Sequence, residues 1–378
     1  MNFDLTEERQ MLQDTLRRYL RDRYTTGRRN AIIASDAGLS AEIWGELAAL
    51  GVIGALFGDD EGGFGGTGFD IAVVFEELGR AGVVEPFLDT AVLGGRLIAA
   101  LGTEGQKRIV EDVIAGRVHL ALAHGEPASR YDLTRVETTL TAKASGLVLN
   151  GRKAVVVNAE AADHLIVSVR EAGSADDAEG ISLVLVPTDA AGVSMTGYPM
   201  FGGGRAAEVT LDNVILKVSA RLGAAGAGWG PLNDATAAAN VALAAEALGA
   251  METAAALTRE YLTTRKQFGR PIGTFQALQH RMADLLIELE QARSAVIGAA
   301  GHLAAPLSRR DRQISAARNL IGRTGRLVAE EAIQMHGGIA MTQEYELAHM
   351  AKRIVMTDHR LGDTDYHLER FIALGAGR

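Results

Sequence analysis

Strand-like sequence occupies only one stretch of this chain, and helical periodicity fills the residues on both sides of it. Between residues 118 and 217 stand VHLALA, TTLTAKA, LVLNG, AVVVN, HLIVSV, ISLVLVP and AAEVTLDNVIL, most of them separated by Gly, Asn, Asp or Pro. Short runs at that spacing predict a small β-barrel or sandwich, since alternating β and α units would need helical segments between them. The polar stretch EAGSADDAEG (171–180) reads as a surface loop between two strands. Before the strands, Leu5, Met11, Leu12, Leu16 and Leu20 predict a helix over 4–24 with Thr6 as its cap. Ser40 and Gly51 bracket a second helix over 40–50, and further helical segments are predicted over 69–80, 88–101 and 103–116. From about Pro231 helical periodicity returns and stays. At 378 residues the chain exceeds one small core. The predicted fold is α+β in three parts: an N-terminal all-helical domain (1–117), a middle β domain (118–230) and a C-terminal four-helix bundle (231–378).

Three stretches within this frame carry residue types suited to a ligand. ALAHGEPASRYDL (121–133) ends a strand in a loop of Gly, Pro and Ser that offers amides and hydroxyls, although many such loops only connect. NGRKAVVVNA (150–159) opens with Asn150-Gly151, a hairpin-turn signal between two strands. EEAIQMHGGIAMTQEY (330–345) breaks a helix at Gly337 and Gly338, which either cap it or let backbone approach a ligand closely. The cluster Gly62, Gly63, Gly65, Gly66 and Gly68 resembles a dinucleotide fingerprint in composition alone. No strand of useful length precedes it, so a flexible loop feeding the helix at 69–80 is predicted instead.

A fourth stretch, RKQFGRPIGTFQ (265–276), interrupts two long apolar-periodic segments, one over 234–264 and one resuming at Ala277. Gly269, Pro271 and Gly273 end one helix and begin another. Such a segment is either a helical hairpin with a basic patch or an anion site in which Arg265 offers a planar fork to phosphate.

RKQFGRPIGTFQ resembles the R-x-x-F-G-x-x-I-x-x-x-Q segment of the FAD-dependent acyl-CoA dehydrogenases, and the resemblance runs from about residue 3 to about residue 370. LTEE, DDEGGFGG and FEELGRAG are similar to N-terminal segments of the same family. The resemblance implies FAD as cofactor and dehydrogenation of an acyl-CoA thioester to the trans-2-enoyl-CoA. It implies that Arg265, Gln267, Phe268 and Gln276, with Gln334, Gly337 and Gly338, hold the FAD of a neighbouring subunit. It places Val155 and Val157 where the family has an aromatic residue and a Thr or Ser against the flavin, with Asn158 fitting the pattern. It places Glu126, Ser129, Arg130 and Tyr131 along the acyl-thioester path, Tyr131 standing where the family often has a serine. Asp363 falls, with a two-residue insertion, where many members carry a catalytic glutamate. The other family position for the base reads Ala239. Asp365 is a further candidate, for the cofactor site or as the base in place of Asp363.

RLGDTDYHLERF (360–371) further resembles the small subunits of two-component members, the pimeloyl-CoA type and the sterol side-chain enzymes of actinobacteria. The resemblance therefore implies a homo-oligomer (dimer or tetramer), or a hetero-oligomer with a related large subunit in which this chain completes the partner's FAD pocket. It also implies an electron-transfer flavoprotein or similar acceptor. A flavin- or CoA-binding scaffold without turnover is the third reading.

A formal net charge of −9 with no offsetting basic block argues against nucleic acid, though not against a phosphorylated ligand that needs a few local arginines. Without cysteine the chain has neither a disulfide framework nor a thiolate metal site, and its nine histidines form no H-x-x-x-H or H-E-x-x-H pair. Asp4, Glu7 and Glu8 stand where a signal peptide needs basic residues. Arg259 and Glu260 close the longest apolar candidate, so no membrane insertion is predicted. A cytoplasmic enzyme is the expectation.

Overall fold

The computed structural model describes residues 5–144 and 146–376. Helices α1 (Glu7–Arg23), α2 (Thr26–Ile33), α3 (Ala41–Ala49), α4 (Gly68–Ala81), α5 (Arg96–Leu101) and α6 (Glu104–Ile114) come first, with a π-helical turn at Leu88–Gly95. Strands β1 (Leu120–Ala123), β2 (Thr139–Lys143), β3 (Gly146–Val157), β4 (His164–Arg170), β5 (Ile181–Pro187), β6 (Val193–Pro199), β7 (Arg205–Leu216) and β8 (Arg221–Leu222) follow. The chain then returns to helix in α7 (Trp229–Thr264), makes the hairpin β9 (Lys266–Gln267) and β10 (Arg270–Pro271), and ends in α8 (Gln276–His302), α9 (Leu307–His336), α10 (Glu346–Asp358) and α11 (Thr364–Ala376). The helix–strand–helix order is the one expected, and the fold is mixed α+β with a sheet in the middle.

Several local predictions hold for the reasons given. Thr6 Oγ1 accepts from Arg9 N–H and Ser40 Oγ from Ile43 N–H, so both caps satisfy a first-turn donor. Others are corrected. Helix α2 is an addition, and α7 begins at Trp229 rather than 234, Pro231 being tolerated in its first turn, where its missing N–H is no loss. The glycine-rich loop is not loose: Gly63 and Gly65 N–H donate to Gly58 and Phe57 carbonyls, and Gly66 N–H to Ala55 O. By length and composition α7 could cross a membrane, but 78% of its most apolar window is buried within the chain itself.

Asn150-Gly151 makes no hairpin. Both residues lie inside the single strand β3, opposite an irregularity in β7 at Asp212 and Asn213. Asn150 Oδ1 accepts from Asn213 N–H at 2.8 Å, and a Cβ on Gly151 would come within 2.7 Å of Thr138 Cβ. The dipeptide thus answers a neighbouring strand's needs, and turn chemistry has no part in it.

By contacts the chain divides into two compact units, Ile32–Gly66 with Val84–Ala239, and Met1–Ala31 with Thr67–Val83 and Asn240–Arg378. The first unit contains the eight-stranded sheet in the order β6-β7-β3-β2-β4-β5-β8, with β1 parallel to β4. Leu149, Val156, Val209 and Val214 from one half of that order share a core with Leu165, Val167, Val184 and Val186 from the other, so the sheet curls over a single interior.

In the second unit α9 packs against α8, α10 and α11, and α4 lies on α1 and α8. Helices α4 and α7 meet with almost no side chain between them. A Cβ on Gly79 would fall on Glu246 O, and one on Gly249 on Glu76 O, both well inside contact distance. Around this crossing Arg80 and Arg293 pair with Glu252 and Arg353 with Glu246. Gly79→Ala and Gly249→Ala should each lower unfolding free energy by about 1–3 kcal/mol in urea denaturation, as overpacking does. Gly298→Ala, where nothing lies within 4 Å of the added Cβ, should instead raise it by about 0.4–1 kcal/mol.

Candidate functional site

Helix α7 ends in a hairpin whose turn holds two consecutive residues of positive φ, Phe268 at 53° and Gly269 at 75°. Glycine takes that conformation freely and phenylalanine does not, so the turn is held at some cost. Phe268 is 90% exposed, and Arg265, Gln267 and Gln276 are exposed beside it. Phe275 packs edge-on to Phe268 with Arg270 stacked on its ring at 4.2 Å. The hairpin is therefore an outward finger with cations, amides and an aromatic tip.

The finger's base is tied to the end of α9. Tyr261 accepts the Arg265 N–H through its carbonyl and stacks its ring on His336 at 4.5 Å. The Ala332 carbonyl can only accept, so His336 Nδ1 carries the proton and donates to it at 2.8 Å, and Nε2 accepts from Tyr345 OH at 3.2 Å. Burial lowers the His336 pKa and keeps the ring neutral in this pairing. Next in sequence, Gly337 and Gly338 are exposed with open space where a Cβ would be, and Gln334 is exposed one turn back. Arg265, Phe268, Gln334 and the two glycines thus share one neighbourhood.

Asp363 stands beside a different part of α9. Arg318, buried in α9, donates to the carbonyls of Thr357, Arg360 and Gly362 and so fixes the loop that leads to α11. His336 lies about 27 Å further along the helix at 1.5 Å per residue. At the end of the fixed loop Asp363 Oδ1 accepts from Tyr366 N–H at 2.9 Å, the geometry of a helix cap, and Asp365 is exposed in the first turn that follows.

In the other unit, the strand end after β1 is sewn to β3 from inside. Lys153 Nζ is fully buried and donates to Glu126 Oε1 at 2.7 Å, Ser168 Oγ at 3.0 Å and His124 O at 3.2 Å. Glu126 also accepts from the N–H groups of Glu137 and Thr138. Burial pushes its carboxyl up, but Lys153 and these donors prevail and hold it below the usual carboxylate range. Burial lowers Lys153 to about 8 and, with the Lys153 charge, lowers His124 to about 3.

This network engages two of the expected substrate contacts within the chain. The Glu126 carboxylate is turned inward on Lys153 and the two backbone donors, and Ser129 Oγ closes a turn on Glu126 O and N–H. Arg130 and Tyr131 remain outward, the guanidinium 5.1 Å above the ring. Val155 is 59% exposed and Val157 is half-buried on the same side, with Val156 buried between them. Asn158 is buried at φ 64°, its side chain donating to Leu120 O at 3.4 Å at the end of the strand. Lys153 was missed, though its parity with Leu147 and Leu149 on the same strand is visible in the sequence.

Three family profiles cover the chain: the acyl-CoA dehydrogenase N-terminal domain at residues 6–117, the middle domain at 121–214 and the C-terminal domain at 226–373. The chain is 32% identical to the acyl-CoA dehydrogenase IpdE2 of Mycobacterium tuberculosis over 348 residues, 92% of this chain and 91% of that one. Among solved structures it resembles butyryl-CoA dehydrogenase from Megasphaera elsdenii, with TM-score 0.90, 26% identity and all of both chains covered. It also resembles a variant of the Tcur3481–Tcur3483 steroid ACAD, with TM-score 0.87, 30% identity and 98% of each chain covered.

The pH dependence of stability follows from the buried rings. An unfolded histidine takes up a proton near pH 6.5, whereas folded His124 does so only near 3 and His367, desolvated beside Arg318 and Arg370, only near 2. The contribution of these two rings is thus complete above about pH 6.5 and is lost as pH drops toward 3, by about 1.4 kcal/mol per pH unit for each histidine. Urea unfolding between pH 7 and 4 should show this, and His124→Gln should reduce the slope by one proton.

Proposed function

The chain belongs to the acyl-CoA dehydrogenase family, whose members depend on FAD, and from that premise we propose that it oxidises an acyl-CoA thioester to the trans-2-enoyl-CoA as one subunit of an oligomer. The observation that carries the reading is Phe268: an aromatic ring 90% exposed at the tip of a strained turn, beside an exposed Arg265, offers another molecule an aromatic face and a charge.

The residues present suit FAD. Arg265 offers a bidentate fork to a phosphate, and Gly337 with Gly338 lets a ligand approach the backbone where any side chain would intrude. Val155 and Val157 give an outward apolar pair to a flat ring. When bound, FAD supplies the hydride acceptor. This chain's part is to hold that group, keep water from it and position a base at the α carbon. The separation of Asp363 from the finger along α9 supports a finger that serves an adjacent chain's site.

In this reading Asp363 is the base, its Oδ1 steadied by Tyr366 N–H. A second reading, a small subunit that completes a larger partner's site, is favoured by the same cap and by the fully buried Ala239 at the alternative position. An electron-transfer flavoprotein or a similar acceptor would reoxidise the flavin in either case.

Arg265→Ala should weaken FAD binding by about 1.5–3 kcal/mol, the worth of a charge-assisted hydrogen bond, and should shift the oligomer toward apoprotein in flavin titration. A monomer that holds FAD as tightly after the change contradicts the oligomeric site. Asp363→Asn keeps the cap and removes the base, so thermal stability and FAD content should stay near parent values. Single-turnover flavin reduction by acyl-CoA should fall roughly 10²–10⁴-fold. Reduction at the parent rate removes Asp363 as the base and moves Asp365 or a partner chain's carboxylate ahead of it.

A further inference from the structure

Strand β3 departs from its ladder with β7 between Lys153, opposite Val209, and Val156, opposite Ala207. Ala154 and Val155 therefore face the single residue Glu208, which is a β-bulge. Val155 sits in it at φ 52°, a conformation a β-branched residue rarely adopts. No packing compensates, because the side chain is more than half exposed. Strain kept at an exposed apolar residue is strain kept for use.

Hydrogen bonds hold the bulge instead. Lys153 is anchored inside, Ala154 N–H donates to Gly125 O at 2.8 Å, and Val155 N–H donates to Glu208 Oε1 at 3.2 Å. Glu208 Oε1 also accepts from Tyr198 OH at 2.9 Å, on the neighbouring strand β6. Burial and the carboxylate raise this phenol to about 12, so it stays a donor throughout the working range.

We propose that Glu208, aimed by Tyr198, is a positioning residue for the cofactor: it holds the strained Val155 bulge outward so that this side chain forms the apolar rest for the flavin ring. The inference rests on the reading above that Val155 faces FAD. An ordinary surface glutamate would be indifferent both to residue 155 and to FAD.

The test uses the full-length chain with the changes Glu208→Ala, Glu208→Gln, Val155→Gly and the double variant Val155→Gly with Glu208→Ala. Glutamine keeps an acceptor oxygen for Val155 N–H and Tyr198 OH, and glycine removes the strain that the brace opposes. In flavin fluorescence titration, Glu208→Ala should weaken FAD binding roughly threefold to tenfold, as loss of one hydrogen bond at an exposed site would, and Glu208→Gln should restore it. In urea unfolding, the midpoint shift caused by Glu208→Ala should shrink when it is made on top of Val155→Gly. Additive shifts overturn the brace. A brace that couples to residue 155 while Glu208→Ala binds FAD like the parent overturns its service to the cofactor. If the unmutated chain binds no FAD, the underlying reading fails on its own and takes the proposal with it.

Discussion

A lysine ammonium enclosed on all sides by protein must be matched or give up its charge. Lys153 is matched by Glu126, Ser168 and the His124 carbonyl, and the middle sheet is arranged to make that possible. The strand end after β1 is drawn against β3, and the bulge that follows the inward Lys153 shifts the alternation by one residue, so that Val156 turns in and Val155 and Val157 turn outward. Removing either charge would strand the other in a desolvated place, which typically costs several kcal/mol. The pair therefore acts less as added stability than as a register mark for the outward surface.

The helical unit solves a comparable problem with α9. One end, through the neutral His336 and its stack on Tyr261, steadies the finger and the two exposed glycines. Further back, Arg318 holds the loop before α11 by its carbonyls. A single rigid helix thus supports both the finger and the loop before α11, at places too far apart to meet on one small patch. An assembly in which each chain lends its finger to another makes use of that separation.

The parts legible in the sequence were those governed by local chemistry. Thr6 and Ser40 announce helix starts, Gly269, Pro271 and Gly273 a break, and the strand-rich middle its own texture. Contacts between distant segments were not legible. Asn150-Gly151 has the composition of a turn, yet its shape is set by Thr138, just before β2, and Asn213 on β7. Glu126 looked outward because its loop does, and only Lys153, brought beside it by the fold, turns it in. Asp363 matched a family position, while its role as a cap depends on where α11 begins. Glu208 gave no signal at all, since its meaning lies in the bulge across from it.

The glycine crossing of α4 and α7 has a consequence for how the chain is made. The helical unit is assembled from Met1–Ala31, Thr67–Val83 and Asn240–Arg378, whereas the last residue of the sheet-containing unit is Ala239. On the ribosome the sheet can close while α4 still lacks α7 and α8. At roughly 5–20 residues per second, about 15–60 s pass between synthesis of Val83 and the final residues of the same unit. During that interval Ile71, Val74, Phe75 and Leu78, all buried in the finished protein, have no α7 or α8 to cover them. The helices made first are thus the last to be secured, and until then their apolar face is open to other contacts.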